Sequence, residues 1–143
     1  MKIHDPMTDT QHRLLQDTFY LMSLSEYHKG YSDEDFHRLI LAPLKHHKLL
    51  VHYDASDSPI AFCTYAFLTP EAESGYMNRT RKLQAMDFEN EDGTLWCIDF
   101  AAPFGNCRKI IRDMRTFFEE TYGEGTKARI FRQKQNRFGW MIA

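Results

Sequence analysis

The sequence predicts an α+β fold: a single domain with one mixed sheet flanked by helices. Three observations carry this. Apolar residues recur at helical spacing up to about residue 46, the period then changes to that of strands, and helix and strand signals alternate to the C-terminus. A chain of 143 residues fits one domain, 1–143, and about the first eight residues are expected to be mobile.

The elements follow in order. Residues 9–24 read as a helix, with Leu14, Thr18, Leu21 and Met22 on one stripe. Residues 33–46 read as a second, opened by Ser32 with Asp35 three residues on, and kinked or ended by Pro43. LLVHYD (49–54) and IAFCTYAFL (60–68) read as strands joined by the turn residues ASDSP, an antiparallel hairpin. Thr69 and Pro70 supply the N-cap and first position of a helix running to about Leu83. The acidic DFENEDG (87–93) reads as an exposed linker. TLWCIDFAA (94–102) is a third strand, apolar enough to be buried on both faces. Asn106 then caps a helix to about Tyr122, with Ile110, Ile111, Met114, Phe117 and Phe118 as its stripe and Gly123 as its stop. KARIFR (127–132) is a fourth strand and 138–142 a short last one.

Composition narrows the function. Three Cys with no CxxC exclude a zinc ribbon and a disulfide framework, so Cys63, Cys97 and Cys107 read as reduced thiols. No run reaches the roughly 18 apolar residues of a membrane span, and no apolar leader follows the N-terminus. The expectation is a cytoplasmic protein. Net charge is −2, unevenly spread. Residues 107–143 hold nine Lys and Arg against four acids, a net +5, and residues 1–106 hold nine against sixteen, a net −7. Arg108, Lys109, Arg112 and Arg115 thus form a basic helix suited to an acidic partner or simply to solvent. No nucleic-acid-binding motif accompanies them.

The most informative single residue is Asp99. A carboxylate in the middle of an apolar strand needs a hydrogen-bonding or cationic partner, because burying it alone is costly. Backbone N–H groups could serve, and so could a histidine whose tautomer the carboxylate fixes. Seven His are candidates. His46 and His47 sit beside Lys45 and Lys48, a charge cluster that reads as solvated surface, His37 lies on a polar helix face, His52 faces solvent, and His4 and His12 lie near the N-terminus. His28 ends the first helical segment just before Gly30, where it can reach a cleft. No metal-ligand spacing occurs among them. Ser25 lacks the context of a nucleophile elbow.

Three blocks add a resemblance. LMSLSEYH (21–28), SPIAFCTYAFLTPEAESGYM (58–77) and LWCIDFAAPFGN (95–106) are similar, in that order, to segments of the RTX toxin-activating lysine acyltransferases, the hemolysin-activator family. The Trp-x-Ile-Asp strand running into Ala-Pro-Phe-Gly is the specific one, and the likeness covers about residues 14–132. Tyr31, Tyr65 and Phe100 stand where that family usually has Trp, and Asn106 where it has Asp. The resemblance implies a GNAT-like fold and transfer of a fatty acyl group from acyl carrier protein to internal lysines of a protoxin. It implies no bound cofactor, and it allows a homodimer. His28 and Asp99 match the family's catalytic His and Asp, and the basic helix suits acyl carrier protein. Lysine needs a base, since its ammonium (pKa about 10.4) is not nucleophilic at neutral pH. Direct attack and an acyl-His intermediate both fit the sequence. A coenzyme-A-dependent GNAT acetyltransferase lacks its phosphate loop here, and a silent module that binds toxin or carrier without turnover is the non-enzyme alternative.

Overall fold

The computed structural model describes residues 7–132 and 137–141. Its helices are α1 (Asp9–Ser23), α2 (Asp33–Phe36), α3 (Ala42–Lys45), α4 (Pro70–Asn78) and α5 (Cys107–Tyr122). Its strands are β1 (Leu49–Tyr53), β2 (Pro59–Leu68), β3 (Thr94–Ala101), β4 (Arg129–Arg132) and β5 (Arg137–Trp140). The strands form one sheet in the order β1-β2-β3-β4-β5. All neighbours are antiparallel except β3 and β4, which run parallel and are connected through α5. This mixed sheet flanked by helices is α+β and consistent with a GNAT-like fold.

Alternation along β2 divides the core. Ala61, Cys63, Tyr65 and Phe67 face α5 and meet Ile110, Met114 and Phe118. Phe62, Ala66 and Leu68 face the other way, against Leu21 and Met22 of α1, Ile40, Leu44, Ala72 of α4, Phe88 and Trp96. Helices therefore cover both sheet faces, which is why β2 is buried almost throughout.

The caps form as the sequence predicts. The Thr69 hydroxyl accepts from Ala72 N at 3.2 Å, and Ser32 and Asp35 exchange hydrogen bonds of 3.1 Å. Thr8 caps α1 through a reciprocal pair with Gln11, and Met7 packs on the core; residues 1–6, His4 among them, lie outside the described residues. Pro43 does not stop its helix. A π turn (His37–Leu41) joins α2 to α3 and absorbs the proline, which has no N–H to give to the preceding turn.

Five local expectations are corrected. The helix from Pro70 ends at Asn78, not Leu83, because Arg79 takes a left-handed conformation (φ 58°). The 87–93 segment is not simply exposed: Asp87 is buried against a bidentate Arg81 at 2.9 Å, and Phe88 is fully buried. Lys48 is not surface. It is 2% exposed and donates to Phe88 O at 2.9 Å and Glu91 at 3.3 Å. His52 does not face solvent. It pairs with Ala61 on the α5 side, half-buried, and burial lowers its pKa. Asn106 occupies the N-cap position of α5 but its side chain makes no capping bond, its backbone being left-handed (φ 64°).

Candidate active site

Ser25, His28 and Tyr31 are spaced by three. After α1 the chain tightens into a 3₁₀ turn (His28–Gly30), with Lys29 N bonded to Ser25 O and Tyr31 N to His28 O. Ser25 Oγ meets the His28 ring, and Tyr31, where the turn ends, lies against the same ring. Opposite them stands Asp99.

Asp99 reaches them because β3 is bulged. Thr64 pairs with Asp99 and Tyr65 with Cys97, which leaves Ile98 as an extra residue. Leu95 and Cys97 face α5, and strict alternation would send Asp99 the same way. The bulge reverses the parity, so Asp99 shares the face of Thr64, Phe62 and Ala101. Its backbone N–H donates instead to the Thr64 hydroxyl at 3.2 Å, and Thr64 is fully buried.

The result is a buried chain of polar groups. His28 and Asp99 are each 4% exposed, and His28 Nε2 lies 3.0 Å from Asp99 Oδ1. His28 Nδ1 lies 2.7 Å from Ser25 Oγ. Tyr31 donates its hydroxyl to both carboxylate oxygens, at 2.8 Å each. The partners assign the tautomer: Nε2–H donates to the carboxylate, which leaves the Nδ1 lone pair to accept from Ser25. Phe62 packs on the imidazole with ring centroids 5.2 Å apart, and Tyr27 and Tyr31 each with 5.0 Å. Burial, the Asp99 charge and its hydrogen bond hold the Tyr31 hydroxyl far above the ordinary range, so it stays a donor.

A cavity of about 690 Å³ opens beside the relay. Tyr27, Tyr31 and Asp99 belong to its wall, with Tyr76, Leu83 and Phe138 among its apolar residues. Arg38, Arg79, Arg81 and Lys82 bring positive charge to it. Arg38 is paired with Asp35 at 2.9 Å and Arg81 with Asp87, whereas Lys82 is exposed. Among the described residues no group of three or more His, Cys, Asp or Glu could hold a metal ion. Among the described residues no helix is long and apolar enough to cross a membrane.

The structure thus joins His28 to Asp99, and adds Ser25 and Tyr31, which sequence reasoning did not assign to the site. The signal was the Ser-x-x-His-x-x-Tyr spacing. The four basic residues of α5 are not brought to this place. Arg108, Lys109 and Arg112 are exposed and Arg115 half-buried on a helix that packs against the opposite sheet face.

Residues 7–138 match the model of the RTX toxin acyltransferase family. The chain is similar to the RTX-II toxin-activating lysine-acyltransferase of Actinobacillus pleuropneumoniae, 30% identical over 117 residues, covering 82% of this chain and 71% of that protein. It is 29% identical to a leukotoxin-activating lysine-acyltransferase of a Pasteurella haemolytica-like species, over 71% of this chain and 60% of that protein. It is 38% identical over 64 residues to a protein-lysine myristoyltransferase of Escherichia coli, covering 45% of this chain and 37% of that protein. The chain belongs to the RTX toxin acyltransferase family.

Proposed function

We propose that this member of the RTX toxin acyltransferase family moves a fatty acyl group from acyl carrier protein to the ε-amine of lysines in an RTX-type protoxin, in the cytoplasm. One observation carries the reading: the Ser25–His28–Asp99 relay, its His28 and Asp99 buried, lies beside a cavity walled in part by apolar residues. A base with a fixed tautomer is what a lysine nucleophile requires, and a volume of about 690 Å³ lies within the roughly 300–1,000 Å³ of small-ligand sites. The relatives, toxin-activating lysine-acyltransferases and a protein-lysine myristoyltransferase by name, support the same chemistry.

In this reading the acyl chain enters the cavity and its thioester waits beside the relay. The target lysine gives up a proton to His28 Nδ1 through the Ser25 hydroxyl, and Asp99 stabilises the imidazolium. The free amine forms a C–N bond to the thioester carbon and the C–S bond breaks; the proton on His28 leaves with the carrier thiolate, and the second amine proton, lost as the amide forms, passes to solvent. Both imidazole nitrogens are engaged and the ring is 4% exposed. This favours direct attack with His28 as base over an acyl-His intermediate, which would have to break one of those bonds.

Mass spectrometry of a candidate protoxin after incubation with enzyme and acyl-loaded carrier protein tests the proposal. The expected product is lysine acylated with the carrier's chain. Saturable transfer from acetyl-coenzyme A with none from the carrier would replace the reading with a coenzyme-A-dependent one. Tight binding of carrier or toxin with no acylated lysine would replace it with a binding module.

A further inference from the structure

The geometry points to Tyr31 as a positioning residue that sets the proton affinity of the His28–Asp99 pair. The inference rests on the reading of His28 as the base, but its own test does not need turnover.

The two oxygens of Asp99 are unequally used by His28 and equally used by Tyr31. Nε2 of His28 binds Oδ1 alone, whereas the Tyr31 hydroxyl sits 2.8 Å from both oxygens. A donor centred on the carboxylate fixes its plane, so that Oδ1 stays turned toward the imidazole. It also withdraws charge from the group that stabilises the imidazolium. At 4% exposure the carboxylate is largely shielded from the solvent that would otherwise share that charge. Without the phenol, an undiluted carboxylate would draw the proton more strongly onto the pair and leave less neutral imidazole to act as base. The phenol is itself on the 25–31 segment, just past the turn that begins at His28, and its ring lies 5.0 Å from the imidazole.

Other groups face the pair but do not occupy this position. Tyr27 lies on the same segment; Tyr76 on α4 and Cys63 on β2 feel the Asp99 charge, and Cys97 on β3 points its thiol at the Asp99 backbone carbonyl, not at the carboxylate. Asp35, Arg38, Arg79, Arg81 and Lys82 share the cavity with Asp99. Burial pushes Tyr76 and Cys63 upward, away from neutral pH. Beside His28, the side chain found on the Asp99 carboxylate among the described residues is Tyr31.

The test is the titration of the His28 imidazole, followed by NMR of the histidine-labelled protein without substrate, together with the pH profile of kcat/KM. In Tyr31→Phe the His28 midpoint is expected to rise by about one pH unit, the scale of a lost charge-assisted donor. The acid limb of kcat/KM should move up with it, and activity at neutral pH should fall about tenfold. A merely structural role would lower stability and activity while leaving the midpoint in place. Should Tyr31→Phe not fold, 3-fluorotyrosine at position 31 keeps the shape and strengthens the donor, and the midpoint must then fall. An unmoved His28 midpoint in either folded variant overturns the inference. If the midpoint moves while His28→Ala acylates at the wild-type rate, Tyr31 tunes the pair and it is the reading of His28 as base that fails.

Discussion

His28 carries the whole of the proposed base chemistry on one nitrogen. Replacing it with Ala is expected to lower acyl transfer by about 10²–10⁴-fold. Asp99→Asn keeps the shape, yet it removes the charge and favours the wrong tautomer, and its loss can be as large because residues in one relay are not additive. Single-turnover transfer to a target lysine, with thermal melts alongside, measures both; wild-type rates in a folded His28→Ala protein would refute the mechanism. A second histidine matters for stability alone. His52 is half-buried, its Nδ1 has no hydrogen-bond partner among the described residues, and burial lowers its pKa, with Asp113 opposing weakly. The unfolded state therefore binds more protons than the folded state below the ordinary His range of about 6.5. The contribution of His52 is full above that range and is lost as pH falls toward its depressed folded value. Melting temperature should drop from pH 7 to pH 5, and His52→Gln should flatten part of that slope; an unchanged slope would show that other groups produce it.

At the scale of elements, the site depends on one irregular step in β3. The bulge at Ile98 turns Asp99 from the α5 face to the His28 face, and Thr64 accepts the N–H that the bulge frees. Thr64→Val fills nearly the same volume but leaves that buried N–H unpaired, a cost of about 1–3 kcal/mol. The expected outcome is a lower melting temperature and a lower kcat, with KM for the acyl donor little changed because Thr64 is not part of the cavity wall. Wild-type melting and kcat in Thr64→Val would mean that the bulge holds without its acceptor. The 25–31 turn is the matching element on the other side. It gathers Ser25 and Tyr31 around His28, as the bulge brings Asp99 to it.

Across the whole molecule, charge and chemistry are separated by the sheet. The basic stripe of α5 lies behind it, while Lys82 stands exposed at the cavity on the relay face. A carrier whose acyl arm must enter the cavity docks best beside it, so Lys82→Glu should raise KM for acyl carrier protein more than Arg108→Glu combined with Arg112→Glu. Both effects should shrink with added salt, since exposed charges act over about one Debye length, roughly 10 Å at 0.1 M. Initial rates at several salt concentrations provide the comparison; a larger effect from the α5 pair would move the docking surface to the far face.

Much of this protein was legible along the chain because it is written in local rules. The α+β order, the hairpin, the capping residues Ser32 and Thr69 and the stop at Gly123 follow from period and turn chemistry, which act over a few residues. The cost of burying Asp99 alone announced that it had a partner, and the resemblance in LWCIDFAAPFGN and SLSEYH named that partner as His28. Tertiary structure decided the rest. Period-two alternation assigns Asp99 to the α5 face, and only the pairing of β3 with β2 inserts Ile98 and reverses it. Lys48 and Asp87 read as solvent-facing charges, and their burial depends on Phe88 O and Arg81, which the fold brings to them. Tyr31 read only as a departure from the family's Trp, because nothing local says that its hydroxyl meets a carboxylate 68 residues away. Short-range rules set the elements, while the relay depends on contacts between residues far apart in sequence, whose register is fixed only when the sheet and its covering helices pack together.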